Sequence, residues 1–256
     1  MDDKDERRQT KAVLTANSRI QGDYFHAAFA APEIAAAAQP GQFIHVRIPQ
    51  LEHRVLRRPF SIYDVADGAI HIIYKVVGEG TERLSQIATG TEIDVMGPLG
   101  RPFSPLPQGS AIVAGGYGCA ATYLLAKRAE AKPIVLIGGR TAGDVLLKDE
   151  YEALGCDVRI STDDGSLGAK GRVTSIIPDG IRWIASCGPI PMLKALAEIM
   201  SRNGIDGELS MDHAMCCGVG ACFACVTKVK ADTPDGWRYA RTCHEGPVFR
   251  ASDLIF

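Results

Sequence analysis

Over the first hundred residues, apolar and polar positions alternate in short runs. KAVLTANSRI, DYFHAAFA, QFIHVRI, RPFSIYDV, AIHIIYKVV and TEIDVMG are rich in β-branched or aromatic residues, and Gly or Pro marks several of the joins. In QFIHVRI, Ile44, Val46 and Ile48 fall on one face while His45 and Arg47 fall on the other, the two-residue period of a half-buried strand. Six such runs within one domain's length predict a small antiparallel barrel. TERLSQIA interrupts them with a helical pattern, and Thr81 is its expected N-cap. GPLGRPFSPLPQGS, dense in Gly and Pro, marks a domain edge.

From residue 110 the period switches. SAIVA, PIVLIGG, CDVRIST and IRWIASCGP read as strands, and CAATYLLAKRAEA, DVLLKDEYEAL and PMLKALAEIMSRN read as helices between or after them. That alternation predicts a doubly wound parallel α/β sheet. After about residue 205 the helices stop, and a short Cys-rich tail with hairpin-like runs, CVTKVK and WRYARTC, follows. The expected parts are residues 1–104, 105–204 and 205–256.

Composition narrows the class. Hydrophobic residues make up 46% and charged ones 23% of 256 residues, enough for a packed core and against wholesale disorder. The net charge of −2 and the lack of a basic tract give no electrostatic case for nucleic acid. No apolar run is long enough to span a bilayer, and the charged start MDDKDERRQTK has no apolar segment of a secretory signal. The expected setting is the cytoplasm, without a membrane. Thiols stay reduced there, so clustered cysteines point to metal or redox chemistry before disulfides.

CCGVGACFAC, residues 216–225, holds four of the eight cysteines. Cys217, Cys222 and Cys225 give C-x4-C-x2-C and Cys243 supplies a fourth thiol, the spacing of plant-type [2Fe–2S] ferredoxins. Gly218, Gly220, Ala221 and Ala224 leave room for the backbone to wrap a cluster closely. The competing readings are a zinc site, which favours paired C-x2-C knuckles, and four buried cysteines without a ligand. Cys216 falls out of register, and Cys119 and Cys156 read as small apolar residues.

RPFS alone reads as a surface strand, but paired with GEGT about twenty residues later on the expected barrel, two further stretches suit a flavin. RRPFSIYD offers a guanidinium, Arg58, to a pyrophosphate, and Ser61 to the redox edge of a flavin ring. IYKVVGEGTERL places Tyr74 for a ring or ribose contact, with Gly80 and Thr81 at a helix start that favours phosphate. AGGYGCA, with Gly115, Gly116 and Gly118, sits between strand and helix where a dinucleotide pyrophosphate binds; a tight turn is the other reading. CGPIPM ends a later strand. There Cys187, with Gly188 and Pro189, stands either beside a nicotinamide or as a buried Cys before a helix.

Taken together, RPFS, GEGT, GGYG and CGP resemble the ferredoxin–NADP reductase superfamily. With CGVGACFAC, the chain from about residue 10 onward resembles the electron-transfer subunits of class 1B dihydroorotate dehydrogenases, including PGQFIHVR, STDDGSLGAKG and EGPVF. The resemblance implies a six-stranded flavin-binding barrel with FAD, an NAD-binding α/β domain and a small [2Fe–2S] domain. It also implies a heterotetramer with two copies of an FMN-containing catalytic subunit, serving pyrimidine biosynthesis. Residue by residue, Arg58, Pro59, Phe60 and Ser61 match the first flavin motif. Ile73, Tyr74 and Lys75 match the second, Gly80 and Thr81 the third, and Cys217, Cys222, Cys225 and Cys243 the cluster ligands. The family's helix-start Pro after the Gly-rich turn is missing, since this chain reads CAATYLL.

A nicotinamide exchanges two electrons as hydride and an iron–sulfur cluster one, so a flavin belongs between them. No residue stands out as a general base, and substrate oxidation is expected on another polypeptide. One rival is the flavin subunit of NADH-dependent ferredoxin–NADP oxidoreductases and sulfide dehydrogenases, in which the first ligand is typically an Asp; Cys217 occupies that position here. The other, of a different class, is a zinc-binding or redox-sensing module. Arg140 reads equally as a contact for an NADP 2′-phosphate or as a solvated loop residue, and Asp163 and Asp164 disfavour such a phosphate if they approach the ribose; the resemblance makes NAD the expected nucleotide.

Overall fold

A computed structural model describes residues 7–51 and 53–256. The first six residues of the charged N-terminal stretch lie outside the described residues. The N-terminal elements are β1 (Arg8–Gln21), β2 (Tyr24–Ala30), α1 (Pro32–Ala37), β3 (Phe43–Arg47), β4 (Arg58–Ser61), β5 (Asp64–Ala66), β6 (Ala69–Lys75), α2 (Glu79–Ser85) and β7 (Glu92–Leu99). Their strands form one antiparallel sheet in the order β4-β3-β7-β1-β2-β6-β5.

The two ends of this sheet, β4 and β5, are separated in the chain only by Ile62 and Tyr63. The sheet must therefore curl until its ends meet, which shields both edges. At the closure Ile62 N–H donates to the Gln42 carbonyl and Tyr63 N–H to the His71 carbonyl, both at 2.9 Å. RPFSIYDV, which reads as one strand, is thus two strands with different partners, and the sheet has seven strands instead of six. Leu14, Phe29, Ile44, Val46, Ile70, Ile72, Ile93 and Val95 fill its interior.

Two local expectations change. The cap of α2 is Gly78, and Thr81 lies one turn in, its hydroxyl accepting the N–H groups of Val77 at 2.9 Å and Gly78 at 3.3 Å. The helix α1, opened by Pro32, buries Ile34 and Ala35 and has too few turns to show a period in the sequence.

The second unit comprises β8 (Ala111–Gly115), α3 (Gly118–Arg128), β9 (Ile134–Gly139), α4 (Lys148–Ala153), β10 (Asp157–Thr162), β11 (Ala169–Lys170), β12 (Trp183–Cys187), α5 (Ile190–Asn203) and β13 (Asp206–Ser210). It is followed by β14 (Val226–Lys230), β15 (Trp237–Arg241), β16 (Val248–Arg250) and β17 (Leu254–Ile255). The second sheet has the order β11-β10-β9-β8-β12-β13-β16, parallel except for β16, so it is mixed. Winding reverses between β8 and β12, and the crevice beyond their carboxyl ends is where such sheets bind ligands. Strands β13 and β16 lie beyond residue 204 and complete this sheet, while β15-β14-β17 form a small third one. The helix expected from Asp144 starts only at Lys148, because residues Ala142–Asp144 form a tight turn and Leu147 is left-handed at φ +60°. Among the described residues no helix is long and apolar enough to cross a membrane.

Asp144 holds the barrel to the second unit. Its carboxylate accepts from the Tyr24 hydroxyl at 3.1 Å and from Arg140 Nε at 2.9 Å, with Lys75 Nζ at 3.5 Å. Burial tends to raise this carboxyl, but the Arg140 and Tyr24 hydrogen bonds outweigh it and hold it below its ordinary value of 3.8. Stability from this group is therefore present above that value and lost as pH falls through the lower folded one. Asp144→Asn is expected to cost about 1–3 kcal/mol at pH 7 in urea unfolding, with the difference from the parent shrinking below pH 3.8.

Candidate functional site

The segment joining β13 to β14 carries Cys216, Cys217, Cys222 and Cys225, and Cys243 follows β15. Pairing of β14 with β15 sets Val226 opposite Arg241, so Cys225 and Cys243 leave the same end of one hairpin. Cys243 N–H points at Cys225 Sγ at 3.4 Å, and Ala221 N–H at Cys217 Sγ at 3.3 Å. Gly218 and Gly220 take φ of +72° and +82°, turns that a side chain disfavours. Burial raises the Cys217 thiol, but the N–H groups of Val219, Cys222 and Ala221 and the Cys222 thiol outweigh it, leaving Cys217 lowered to about 6. Burial and the neighbouring Cys225 push Cys243 up to about 12.

The thiols thus stand as two interacting pairs, Cys217 with Cys222 and Cys225 with Cys243. Among the described residues no three His, Cys, Asp or Glu side chains converge on a single-ion position. The inner pair is buried, Cys217 is half-buried and Cys222 is exposed. The Cys216 side chain makes no hydrogen bond among the described residues, and all eight cysteines are free.

The loop rests on the barrel. Phe43 and Leu99 share a buried cluster with Cys225 and Cys243, with Met96, Met215 and Val219 packed around it. The alternation of β3 explains this, since Ile44 and Val46 point into the barrel and Phe43 and His45 point out onto the loop. His45 is 0% exposed, and neither ring nitrogen has a partner. A Cβ on Gly218 would come within 2.6–2.8 Å of His45 Cε1, Nδ1 and Nε2, so the ring lies directly against this glycine. Burial, and secondarily the Arg57 guanidinium, lower His45 to about 4, so the imidazole is neutral at pH 7. The Thr242 hydroxyl, buried beside Cys243, also lacks a partner. A loop with inward N–H groups, paired thiols and unpaired donors around them fits a sulfur-rich anionic group.

On its other edge β3 pairs with β4, setting Phe43 opposite Ser61, His45 opposite Pro59 and Val46 opposite Arg58. Phe60 is buried beside the Tyr74 ring at 5.7 Å, and Tyr74 in turn bonds Asn17 through its hydroxyl at 2.9 Å. Arg58 crosses Gly80, where a Cβ would lie 2.7 Å from its Nε, and among the described residues its guanidinium bonds only the Leu56 carbonyl. Exposed Val55, Leu56 and Val77 flank it. A guanidinium without a carboxylate among exposed apolar side chains fits a cofactor with a pyrophosphate and an aromatic ring system. The Thr81 hydroxyl is occupied by the turn of residues 77–78. Ile73 is buried against the second unit, and Lys75 lies over the Tyr24 ring at 4.7 Å.

Beyond β8 and β12 opens a cleft of about 410 Å³. Gly115, Gly116, Pro189 and Lys75 line it, together with Tyr24, Tyr117, Arg140, Asp144, Asp163 and Arg172. Gly118 and Gly188 lie behind it, where the two strand–helix turns pack together; a Cβ on Gly118 would sit 2.2 Å from the Cys187 carbonyl oxygen. Cys187 is buried, and burial followed by Asp212 pushes its thiol up to about 12.

Several residues here carried no sequence signal of their own. Asp144 stands at an unremarkable helix start, and the Tyr117 hydroxyl donates to Asp212, tying the Gly-rich turn to the segment entering the cysteine loop. Arg241 holds that loop from outside, bonding the Gly220 carbonyl at 2.9 Å and Glu245 at 3.0 Å, with its guanidinium over the Phe223 ring. Phe223, 59% exposed and left-handed at φ +56°, marks the loop tip. His45 was visible only as the polar face of an alternating strand.

A closed antiparallel barrel, a mostly parallel sheet with a ligand crevice at its switch point and a cysteine loop against the barrel define a flavin-reductase-type oxidoreductase with an iron–sulfur-binding tail. A solved chain from a study of flavin-based electron bifurcation by an NADH-dependent reduced ferredoxin-NADP oxidoreductase superposes with a TM-score of 0.83 at 27% identity, covering 96% of this chain and 90% of that one. The ferredoxin reductase of carbazole 1,9a-dioxygenase shares the fold, at a TM-score of 0.65 and 20% identity over 78% of this chain and 67% of its own. Residues 212–255 match the iron-sulfur cluster binding domain of dihydroorotate dehydrogenase B. The chain is 39% identical to the dihydroorotate dehydrogenase B (NAD(+)) electron transfer subunit of Fusobacterium nucleatum, covering 94% of this chain and 96% of the relative. It is 36% identical to that of Desulforamulus reducens, covering 96% and 97%. The chain belongs to this family, the electron transfer subunits of dihydroorotate dehydrogenase B.

The Gly218 contact makes a direct prediction. Gly218→Ala meets both a left-handed φ and the His45 ring, whereas Gly236→Ala meets only a φ of +74° with nothing within 4 Å. Thermal unfolding is expected to show a loss of about 1 kcal/mol for Gly236→Ala and about 1–3 kcal/mol more for Gly218→Ala. Equal losses would mean that the loop does not rest on His45.

Proposed function

We propose that this chain passes electrons from the FMN of a dihydroorotate-oxidising partner subunit, through a [2Fe–2S] cluster and FAD, to NAD+. The observation that carries this reading is the placement of β3, one face of which supports the cysteine loop while its edge pairs with the RPFS strand. Electron carriers bound at those two places are necessarily close neighbours. Bound FAD supplies the chemistry that links two-electron exchange with a nicotinamide to one-electron exchange with iron–sulfur.

The division of labour follows the three parts, residues 1–104, 105–204 and 205–256, with β13 and β16 as the seam between the last two. Cys217, Cys222, Cys225 and Cys243 would hold the cluster, which would supply one-electron exchange, and Cys216 would stand outside it. Arg58 meets the FAD pyrophosphate, Gly80 leaves it room, and Pro59, Phe60 and Ser61 present backbone and hydroxyl to the flavin ring. Ile73, Tyr74 and Lys75 brace the adjoining wall. Gly115, Gly116 and Gly118 let the turn after β8 approach the NAD pyrophosphate, and Cys187, Gly188 and Pro189 bound the nicotinamide end. Arg140 is already committed to Asp144, and Asp163 lines the cleft, which supports NAD over NADP. Phe43, Leu99 and the buried thiols exclude water from the barrel side of the loop. Eight free cysteines suit a reducing cytoplasm, and the exposed edge at Cys222 suits docking of the catalytic subunit in a two-plus-two heterotetramer.

The purified chain is expected to show flavin bands, broad cluster absorbance and about two irons per chain. Cys216→Ala keeps the iron and Cys217→Ala loses it. Mixed with its catalytic subunit, the chain forms NADH only when dihydroorotate is present. Colourless protein holding one zinc, or NADH formation independent of dihydroorotate, would overturn the reading.

A further inference from the structure

Native interiors rarely keep a buried polar nitrogen without a partner. His45 keeps two, on a ring that is wholly enclosed. Its neighbours give neither nitrogen a partner: the ring fills the space a Gly218 Cβ would need, 2.6–2.8 Å from Cε1, Nδ1 and Nε2, and the Phe43 ring stands 5.6 Å away. It cannot swing elsewhere, because β3 is pinned between β4 and β7, with Ile44 and Val46 anchored in the barrel. The ring therefore waits for an acceptor on the cysteine-loop side, immediately beside the residue that follows Cys217.

We infer that His45 donates an imidazole N–H hydrogen bond to a sulfur of the iron–sulfur group held by the Cys217 loop, and so sets its reduction potential. The inference rests on the cluster reading of the preceding section. His45 is a positioning residue and not a ligand, since the four cysteines already fill the iron sites. An N–H donated to sulfur stabilises the reduced, more negative group more than the oxidised one, so it raises the potential. The same strand faces Pro59 and Ser61 across the sheet, so the donor that tunes the cluster is fixed to the strand of the flavin motif.

The test is an EPR-monitored redox titration of the full chain with its cofactors, using His45→Leu and His45→Gln. His45→Leu is expected to shift the one-electron equilibrium about tenfold toward the oxidised cluster, about 59 mV lower in potential. His45→Gln, which keeps an N–H donor, recovers most of that shift. Iron and flavin contents are measured first. His45→Leu protein that keeps its iron and titrates at the parent potential overturns the inference.

If His45→Leu cannot hold iron, parent protein labelled with ring-¹⁵N histidine decides. Two other histidines lie near the loop, His244 after Cys243 and against Gly220, and His213 before Cys216. A weak ¹⁵N hyperfine coupling on the reduced cluster that persists in His244→Asn and in His213→Asn supports the hydrogen bond, and its absence refutes it. Parent protein without iron would instead refute the cluster reading itself, before any substitution is made.

Discussion

The seating of Gly218 on the His45 ring determines how near the cysteine loop comes to the barrel. No other residue fits, because a Cβ would strike the ring and φ is left-handed. The contact in turn requires His45 to face outward, which the alternation of β3 enforces by burying Ile44 and Val46 inside. Since β3 is one strand wide and β4 is its other neighbour, the distance between thiols and flavin motif follows from sheet geometry.

The barrel works as the middle of the molecule because both of its outer sides are used. On one side Phe43 and Leu99 meet the cysteine loop. On the other, Tyr24 and Ile73 pack into the core of the second unit, and Lys75 and Tyr24 reach Asp144 at its cleft. Closure through Ile62 and Tyr63 removes the free edges that would otherwise let these two faces drift. The barrel therefore stands between the cysteine loop on one side and the cleft of the second unit on the other.

Much of this was legible in the sequence, and the misses share a cause. The strand runs and the Gly-rich turns depend on local periods and residue types, and apart from the changes noted they lie where those periods put them. RPFSIYDV looked like one strand because a change of partner at a barrel seam leaves no local mark. Thr81 looked like a cap because its hydroxyl does serve the helix start, though from inside the first turn. The delayed start of α4 comes from a left-handed Leu147, a conformation its side chain does not advertise. Asp144, Arg241 and His45 matter through residues far away in the chain, and a single sequence does not reveal such pairings.

The central claim is that the flavin lies between nicotinamide and iron–sulfur within this one chain. Anaerobic stopped-flow reduction of the purified chain by NADH, following flavin and cluster bands together, tests it most directly. The account predicts that flavin bands bleach first and cluster bands follow, and that flavin-stripped chain with its iron intact leaves the cluster oxidised. Cluster reduction by NADH at an unchanged rate without flavin would contradict it.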